Sequence, residues 1–225
     1  MITMLAFFGQ PKFALNATDY LPVGYELFIR EQAASAWHLP DDFNAITVDQ
    51  FYQLLLNVTR NLPSNVQLLS FNLEQQQFIQ PAFADMIEEV QHQTALNIFT
   101  ELTERNDPLV SDQQLLAAAR DFHRRDLLVC IDDVGTGENT SEMVLKLDDY
   151  VDEYKFAFQN FRPFTSIHTI EPELKFWADL RRQNHKILAI EGIETAAELT
   201  FVRRQYPCNL IQGYYTGRPE LLATS

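Results

Sequence analysis

The chain has 225 residues, 46% of them hydrophobic, and a formal charge of −14. That length suits one barrel-sized domain and that apolar content excludes a disordered chain, while the acidic balance disfavours nucleic acid polymers, which repel a negative surface. The two cysteines, Cys130 and Cys208, form no CxxC pair, so neither a disulfide scaffold nor a structural zinc site is expected.

The first apolar run, Met4 to Phe8, is too short for a signal peptide or a membrane helix and no basic segment precedes it, so a cytoplasmic protein is expected. Eight short apolar runs follow one another as strand candidates: Leu5–Phe8, Tyr25–Ile29, Leu68–Asn72, Asn97–Leu102, Leu127–Ile131, Tyr154–Phe158, Ile187–Ile190 and Asn209–Ile211. Helical patterns fill the gaps over Val48–Leu62, Ala82–Gln93, Asp112–Arg125, Glu171–Asn184 and Ala196–Tyr206. Three of these helices open on capping-box spacing, Thr47 with Gln50, Ser111 with Gln114 and Thr195 with Glu198. Leu54, Leu55, Val58 and Leu62 share one helical face, and Pro40-Asp41-Asp42 and Asp107-Pro108 interrupt as loops. No Gly- or Ser-rich linker divides the chain, so residues 1–225 are expected to form a single α/β domain, a (β/α)8 TIM-like barrel in preference to an open doubly wound sheet.

Polar residues recur where these strands end. Glu26 lies in the second strand, Asn72 closes the third, Glu104 follows the fourth, and Asp132 and Asp133 follow the fifth. Lys155 lies in the sixth, Glu191 and Glu194 follow the seventh, and Gln212 follows the eighth. In a barrel these ends converge on one mouth. Clustered carboxylates repel and must either bind protons or hold cations, and an oxygen set without histidine or cysteine suits Mg²⁺ or Mn²⁺. Adjacent aspartates can hold two ions, an arrangement suited to phosphodiester hydrolysis. Taken singly, each residue has an ordinary reading: Asp-Asp as a turn, Lys as a solvent-facing charge, Gln-Gly as a turn. Arg30 suits a phosphate through its planar fork, or a surface pair with Glu31.

The motifs resemble those of the EAL domain family. Gln10-Pro11, Gly24-Tyr25-Glu26-Leu27-Phe28-Ile29-Arg30, Ser70-Phe71-Asn72-Leu73, Glu101-Leu102-Thr103-Glu104, Asp132-Asp133-Val134-Gly135-Thr136-Gly137, Glu191-Gly192-Ile193-Glu194-Thr195 and Gln212-Gly213-Tyr214-Tyr215 occur in the family's order, from about Phe7 to Pro219. The resemblance implies a phosphodiesterase that hydrolyses cyclic di-GMP to linear pGpG with two Mg²⁺ or Mn²⁺ ions. It implies Glu26, Asn72, Glu104 and Asp132 on one metal, with Asp132 and Asp133 sharing a second. Lys155 would orient or activate the attacking water, Gln212 would position it, and Glu191 and Glu194 would support the metal waters and the active-site loop. Gln10 and Arg30 would contact the substrate. A homodimer is also implied, often through the loop after Asp133. The sequence departs from the family at Ala157, where Asp is usual, at Val134, where Phe is usual, at Ile190, and over Glu138-Asn139-Thr140; Asp107 stands where a longer acidic loop anchor is usual. Two other classes compete with this reading. One is a degenerate member that binds cyclic di-GMP or a protein without turnover, and the other is a metal-dependent barrel enzyme that uses Lys155 as a base.

Overall fold

The computed structural model describes residues 4–17, 21–33 and 36–222. Its strands are Met4–Ala14 (β1), Gly24–Ala33 (β2), Ala36–His38 (β3), Leu68–Leu73 (β4), Asn97–Leu102 (β5), Leu128–Ile131 (β6), Glu153–Ala157 (β7), Ile187–Glu191 (β8), Leu210–Ile211 (β9) and Glu220–Leu221 (β10). The order β1-β9-β8-β7-β6-β5-β4-β2 closes on itself through β1–β2 pairing, which makes an eight-stranded barrel. Each predicted strand overlaps one of these eight, with Leu127, Phe158 and Asn209 falling just outside. The two strands outside the barrel, β3 on β2 and β10 on β1, are short edge additions with no alternating apolar pattern to announce them.

One unit departs from the expected βα repeat. β1 runs antiparallel to both β2 and β9, whereas β2 and β4 to β9 are parallel. A parallel crossover takes about a dozen residues or more, and Ala14 and Gly24 are too close in sequence to provide one.

Helices Val48–Asn61 (α1), Gln75–Phe78 (α2), Pro81–His92 (α3), Asp112–Arg124 (α4), Ser141–Leu147 (α5), Glu171–Asn184 (α6) and Ala196–Gln205 (α7) surround the barrel. The capping boxes at Thr47, Ser111 and Thr195 all form, each hydroxyl accepting from the backbone N–H three residues on. Leu54, Val58 and their neighbours pack α1 onto the core as its spacing requires. Among the described residues no helix is long and apolar enough to cross a membrane.

Strand alternation sorts the core into two layers. Leu69, Phe71 and Leu73 on β4, Val129 and Ile131 on β6, Tyr154 and Phe156 on β7, and Leu188 and Ile190 on β8 belong to the apolar shell shared with the helices. Tyr154, for example, meets Trp177 of α6 with ring centroids 5.7 Å apart. The alternate positions point into the barrel, and there Phe99, Cys130, Ala157 and Ala189 are mixed with many polar residues: Ser70 and Asn72, Glu101, Asp132, Glu153 and Lys155, Glu191, Gln212. A barrel interior of this kind cannot be an oil-like core, because each buried polar group needs a partner.

Candidate active site

The polar interior opens into a cavity of about 540 Å³ lined by Gln10, Glu26, Arg30, Asn72, Glu104, Asp132, Asp133, Glu191, Glu194 and Gln212, along with apolar and aromatic side chains such as Phe28, Leu39, Phe43 and Tyr214. Ten of the eleven residues singled out in the sequence therefore face one space. The eleventh, Lys155, is fully buried beneath them.

Lys155 is the centre of the cluster. Its Nζ lies 3.3 Å from Glu26, 2.6 Å from Glu101, 2.9 Å from Asp132 and 3.0 Å from Glu191. Burial alone would depress its pKa, but Asp132, Glu101, Glu191 and Glu26 together hold it well above the usual lysine range. An ammonium held this firmly cannot serve as a general base, which counts against a proton-abstracting barrel enzyme built on Lys155.

One ammonium cannot satisfy four carboxylates. Burial pushes Glu26 up to about 7, aided by the charge of Glu101 and opposed by Lys155. Burial likewise pushes Asp132 up to about 6 against the pull of Lys155, and lifts Glu191 well above the carboxylate range. Desolvation also raises Asp133. Glu101 goes the other way: burial would raise it, but Lys12 and Lys155 outweigh that and hold it ionised.

The mouth contains acceptors suited to a cation. Glu104, Asp132 and Asp133 each offer a carboxylate oxygen, all within 4.8 Å of one another. Asn72 donates from Nδ2 to Glu26 at 3.2 Å, which leaves its Oδ1 buried and without a partner. Gln212 donates from Nε2 to Glu26 at 2.7 Å and to Gln10 at 3.1 Å, and its own Oε1 is likewise buried and unpartnered. Orphaned acceptor oxygens beside carboxylates that favour the proton are what a hard-cation site presents when its donor set is complete. The residues present fit divalent metal.

The loop after β6 is bent into this position. Asp133 adopts φ 48° and Gly137 φ 50°, both left-handed. A Cβ at Gly137 would lie 2.7 Å from the Glu104 carbonyl, so only glycine brings the loop this close to Glu104. The Glu138 N–H then donates to that carbonyl at 3.0 Å. Asn139 donates from its amide to the Asp132 carbonyl at 2.5 Å, and Thr140 caps α5. The departure over 138–140 thus has its own local hydrogen bonding. Val134 is fully buried in the apolar core. Asp107 does not reach the cavity; it accepts from Gln76 at 2.7 Å and from the Leu109 N–H at 2.9 Å.

At the rim, Arg30 has no carboxylate within ion-pairing distance among the described residues, so the pair with Glu31 is not formed. It donates from Nη1 to the Ile29 carbonyl at 2.9 Å, near the rings of Phe8 and Phe28. Glu194 is the most exposed of the acids, 3.7 Å from Arg162. Ala157 ends β7, buried, in register with Glu191.

Three buried residues escaped the sequence reading: Lys12, Glu101 and Glu153. Glu101 is the first acid of the Glu-Leu-Thr-Glu run, and strand alternation alone could have found it. It is in register with Asn72 and points to the same interior.

Neither a family model nor a curated protein matches the sequence. Solved structures do match. The PaMucR phosphodiesterase in its cyclic di-GMP complex is 22% identical over 96% of this chain and 92% of that one, with a TM-score of 0.75. The EAL domain of FimX from Pseudomonas aeruginosa, bound to cyclic di-GMP, is 16% identical over 98% of this chain and 92% of that one, with a TM-score of 0.75. The YkuI protein of Bacillus subtilis, solved with cyclic di-GMP and calcium, is 19% identical over 96% of this chain, with a TM-score of 0.75; this chain spans 56% of its length. The barrel is the fold of these EAL-domain structures.

Proposed function

We propose that this barrel is a metal-dependent phosphodiesterase that opens cyclic di-GMP to linear pGpG. The observation that carries this reading is the buried, unpartnered Oδ1 of Asn72 in a mouth of carboxylates that a single lysine cannot neutralise. Glu26, Asn72, Glu104 and Asp132 would hold one Mg²⁺ or Mn²⁺ ion, and Asp132 and Asp133 would share a second; the carboxylate oxygens of Glu104, Asp132 and Asp133 already lie within 4.8 Å of one another. When bound, such ions supply Lewis acidity at water and neutralise charge on phosphorus.

The chain's own residues do the rest. Arg30 lines the cavity and engages a phosphate. The unpartnered Oε1 of Gln212 accepts from the attacking water and fixes its lone pair towards phosphorus. Lys155, kept charged, holds Glu26, Asp132 and Glu191 in place and donates rather than accepts. The water oxygen bonds to phosphorus as one of its protons passes to a mouth carboxylate, the P–O3′ bond breaks, and O3′ takes up one proton, from solvent or from the protonated carboxyl of Glu191, to leave as a hydroxyl. Gln10 braces Gln212, and Glu194 with Arg162 shapes the lip. In this reading the protein acts in the cytoplasm, as a homodimer.

Incubation with cyclic di-GMP and Mn²⁺, followed by chromatography, tests it: pGpG should accumulate and chelation should stop it. The second reading, a module that binds cyclic di-GMP or a protein partner without turnover, is favoured by Ala157, which leaves the mouth one carboxylate short beside Glu191. Cyclic di-GMP recovered intact, together with calorimetric binding of the nucleotide, would select that reading.

Two substitutions sharpen the proposal. Arg30→Ala should weaken nucleotide binding by roughly 10–100-fold, the value of about 1.5–3 kcal/mol for a charge-assisted hydrogen bond, with a smaller effect on turnover at saturation. Titration of both forms with cyclic di-GMP reads this directly, and equal affinities would remove Arg30 from the substrate. Ala157→Asp should shift the Mn²⁺ activation curve to about tenfold lower concentration, since a carboxylate is restored next to the proposed ions. Superimposable metal curves would mean that Glu104 or Asp133 already compensates.

A further inference from the structure

The cavity has a corner that takes no part in the ion site. Glu74 follows β4, Arg105 follows β5, and Phe43 opens the short turn Phe43–Ala45 ahead of α1; all three line the cavity. Nη1 of Arg105 lies 3.2 Å from Oε1 of Glu74, and its guanidinium sits over the Phe43 ring, 5.7 Å from the centroid. The side chain of Glu74 is 16% exposed and that of Arg105 55%, so the acid is the more recessed of the two. Leu39 adds exposed apolar surface to the same cavity.

This corner is braced from behind. Gln77 of α2, almost wholly buried, accepts from the Glu74 N–H at 3.1 Å and donates from Nε2 to the carbonyls of Phe43 at 2.8 Å and Ile46 at 3.3 Å. One buried carboxamide thus fixes the segment that carries the ring to the segment that carries the acid. The fold gains little from the ion pair itself, because its cation is half in water. Burial also pushes the Glu74 carboxyl up against the pull of Arg105.

An acid, a guanidinium and a ring at fixed spacing are complementary to one kind of planar edge. The carboxylate accepts two N–H groups, and the guanidinium donates to an oxygen beside them. Guanine presents that edge, with N1–H and the 2-amino group next to O6. Adenine presents a lone pair at N1 and an amino group in place of O6, so it would meet the carboxylate with an acceptor and the guanidinium with a donor. A site whose recessed polar groups are left unpaired rejects the wrong ligand strongly.

We propose that Glu74 and Arg105 form a base-reading corner that selects guanine over adenine in the cyclic dinucleotide, with Phe43 holding the plane of the guanidinium. The inference rests on the cyclic dinucleotide reading of the proposed function. It assigns the choice of base to residues outside the set that would hold ions, and it predicts a gain of binding where damage to the fold predicts only loss.

The experiment is calorimetric titration of the full chain with cyclic di-GMP and with cyclic di-AMP in CaCl₂, the ion present with cyclic di-GMP in the YkuI structure. The wild type should bind cyclic di-GMP about 100-fold more tightly than cyclic di-AMP. Glu74→Gln replaces an acceptor pair by one acceptor and one donor, which suits either purine. It should lower the affinity for cyclic di-GMP about tenfold and raise that for cyclic di-AMP about tenfold, bringing the two level. Arg105→Ala, at a more exposed position, should lower the affinity for cyclic di-GMP about tenfold without weakening cyclic di-AMP. Arg30→Ala, assigned to phosphate, should weaken both nucleotides alike and keep their ratio. Equal binding of the two nucleotides by the wild type, or an unchanged ratio in both Glu74→Gln and Arg105→Ala, overturns the corner and leaves the proposed function standing. Binding of neither nucleotide by the wild type removes the proposed function, and the inference with it.

Discussion

Between pH 5 and pH 8 the affinity of the chain for Mn²⁺ is expected to rise by roughly three orders of magnitude, because bound metal requires carboxylates that the metal-free fold prefers to keep protonated. The pKa of Glu26 lies near 7 and that of Asp132 near 6, both raised by burial. At pH 5 the first is ionised in about one molecule in a hundred and the second in about one in ten, so the competent state is about one in a thousand; by pH 8 it dominates. The sign for stability is opposite. A carboxylate whose folded pKa exceeds its unfolded value contributes stability that is complete at low pH and lost as pH rises through the folded value. The metal-free protein should therefore be less stable at pH 8 than at pH 5, and Mn²⁺ should restore the difference only at the higher pH. Calorimetric affinities and melting temperatures across this range test both halves, and a flat affinity profile would sink the assignment of Glu26 and Asp132 as ligands.

Replacing Lys155 by alanine should reduce turnover by roughly 10²–10³-fold, the usual effect of deleting one preorganised electrostatic donor. It should also destabilise the metal-free fold by about 3–5 kcal/mol, because Glu26, Glu101, Asp132 and Glu191 lose the cation they share. For a chain of this length that is a fall of roughly 10 °C in melting temperature. The structure thus gives the lysine a wider task than orienting water, and the two readouts separate the parts. A variant that turned over cyclic di-GMP at the wild-type rate would exclude Lys155 from the chemistry, whatever its melting temperature.

Much of this was legible in the sequence because it depends on local spacing. The capping boxes at Thr47, Ser111 and Thr195 need only a hydroxyl and an acceptor three residues apart. The polar residues at strand ends identified the mouth because barrel geometry gathers strand ends. What escaped the reading depends on pairings across the barrel. Lys12 follows Gln-Pro on a strand that runs antiparallel, so it lies deeper than Gln10. Glu153 stands at the start of its strand, as Lys12 stands near the end of its own, and they meet only because those strands run in opposite senses. Glu101 is held between Lys12 and Lys155, and neither partner is near it in sequence.

The closure of the barrel by β1 also has a kinetic consequence. Phe13 pairs with Ile211, and the hydrogen bond between Gln212 and Gln10 spans 202 positions of sequence. Contacts of such high order form slowly, because the entropy of closing the loop must be overcome before the pairing is rewarded. The parallel strands β4 to β8 can add sequentially, each to its neighbour, but the wall that presents Gln10 to Gln212 exists only once the two ends of the barrel meet. During synthesis, a chain emerging from the ribosome therefore carries its acids long before it carries a finished mouth, and binding of ligand there would report completion of the fold.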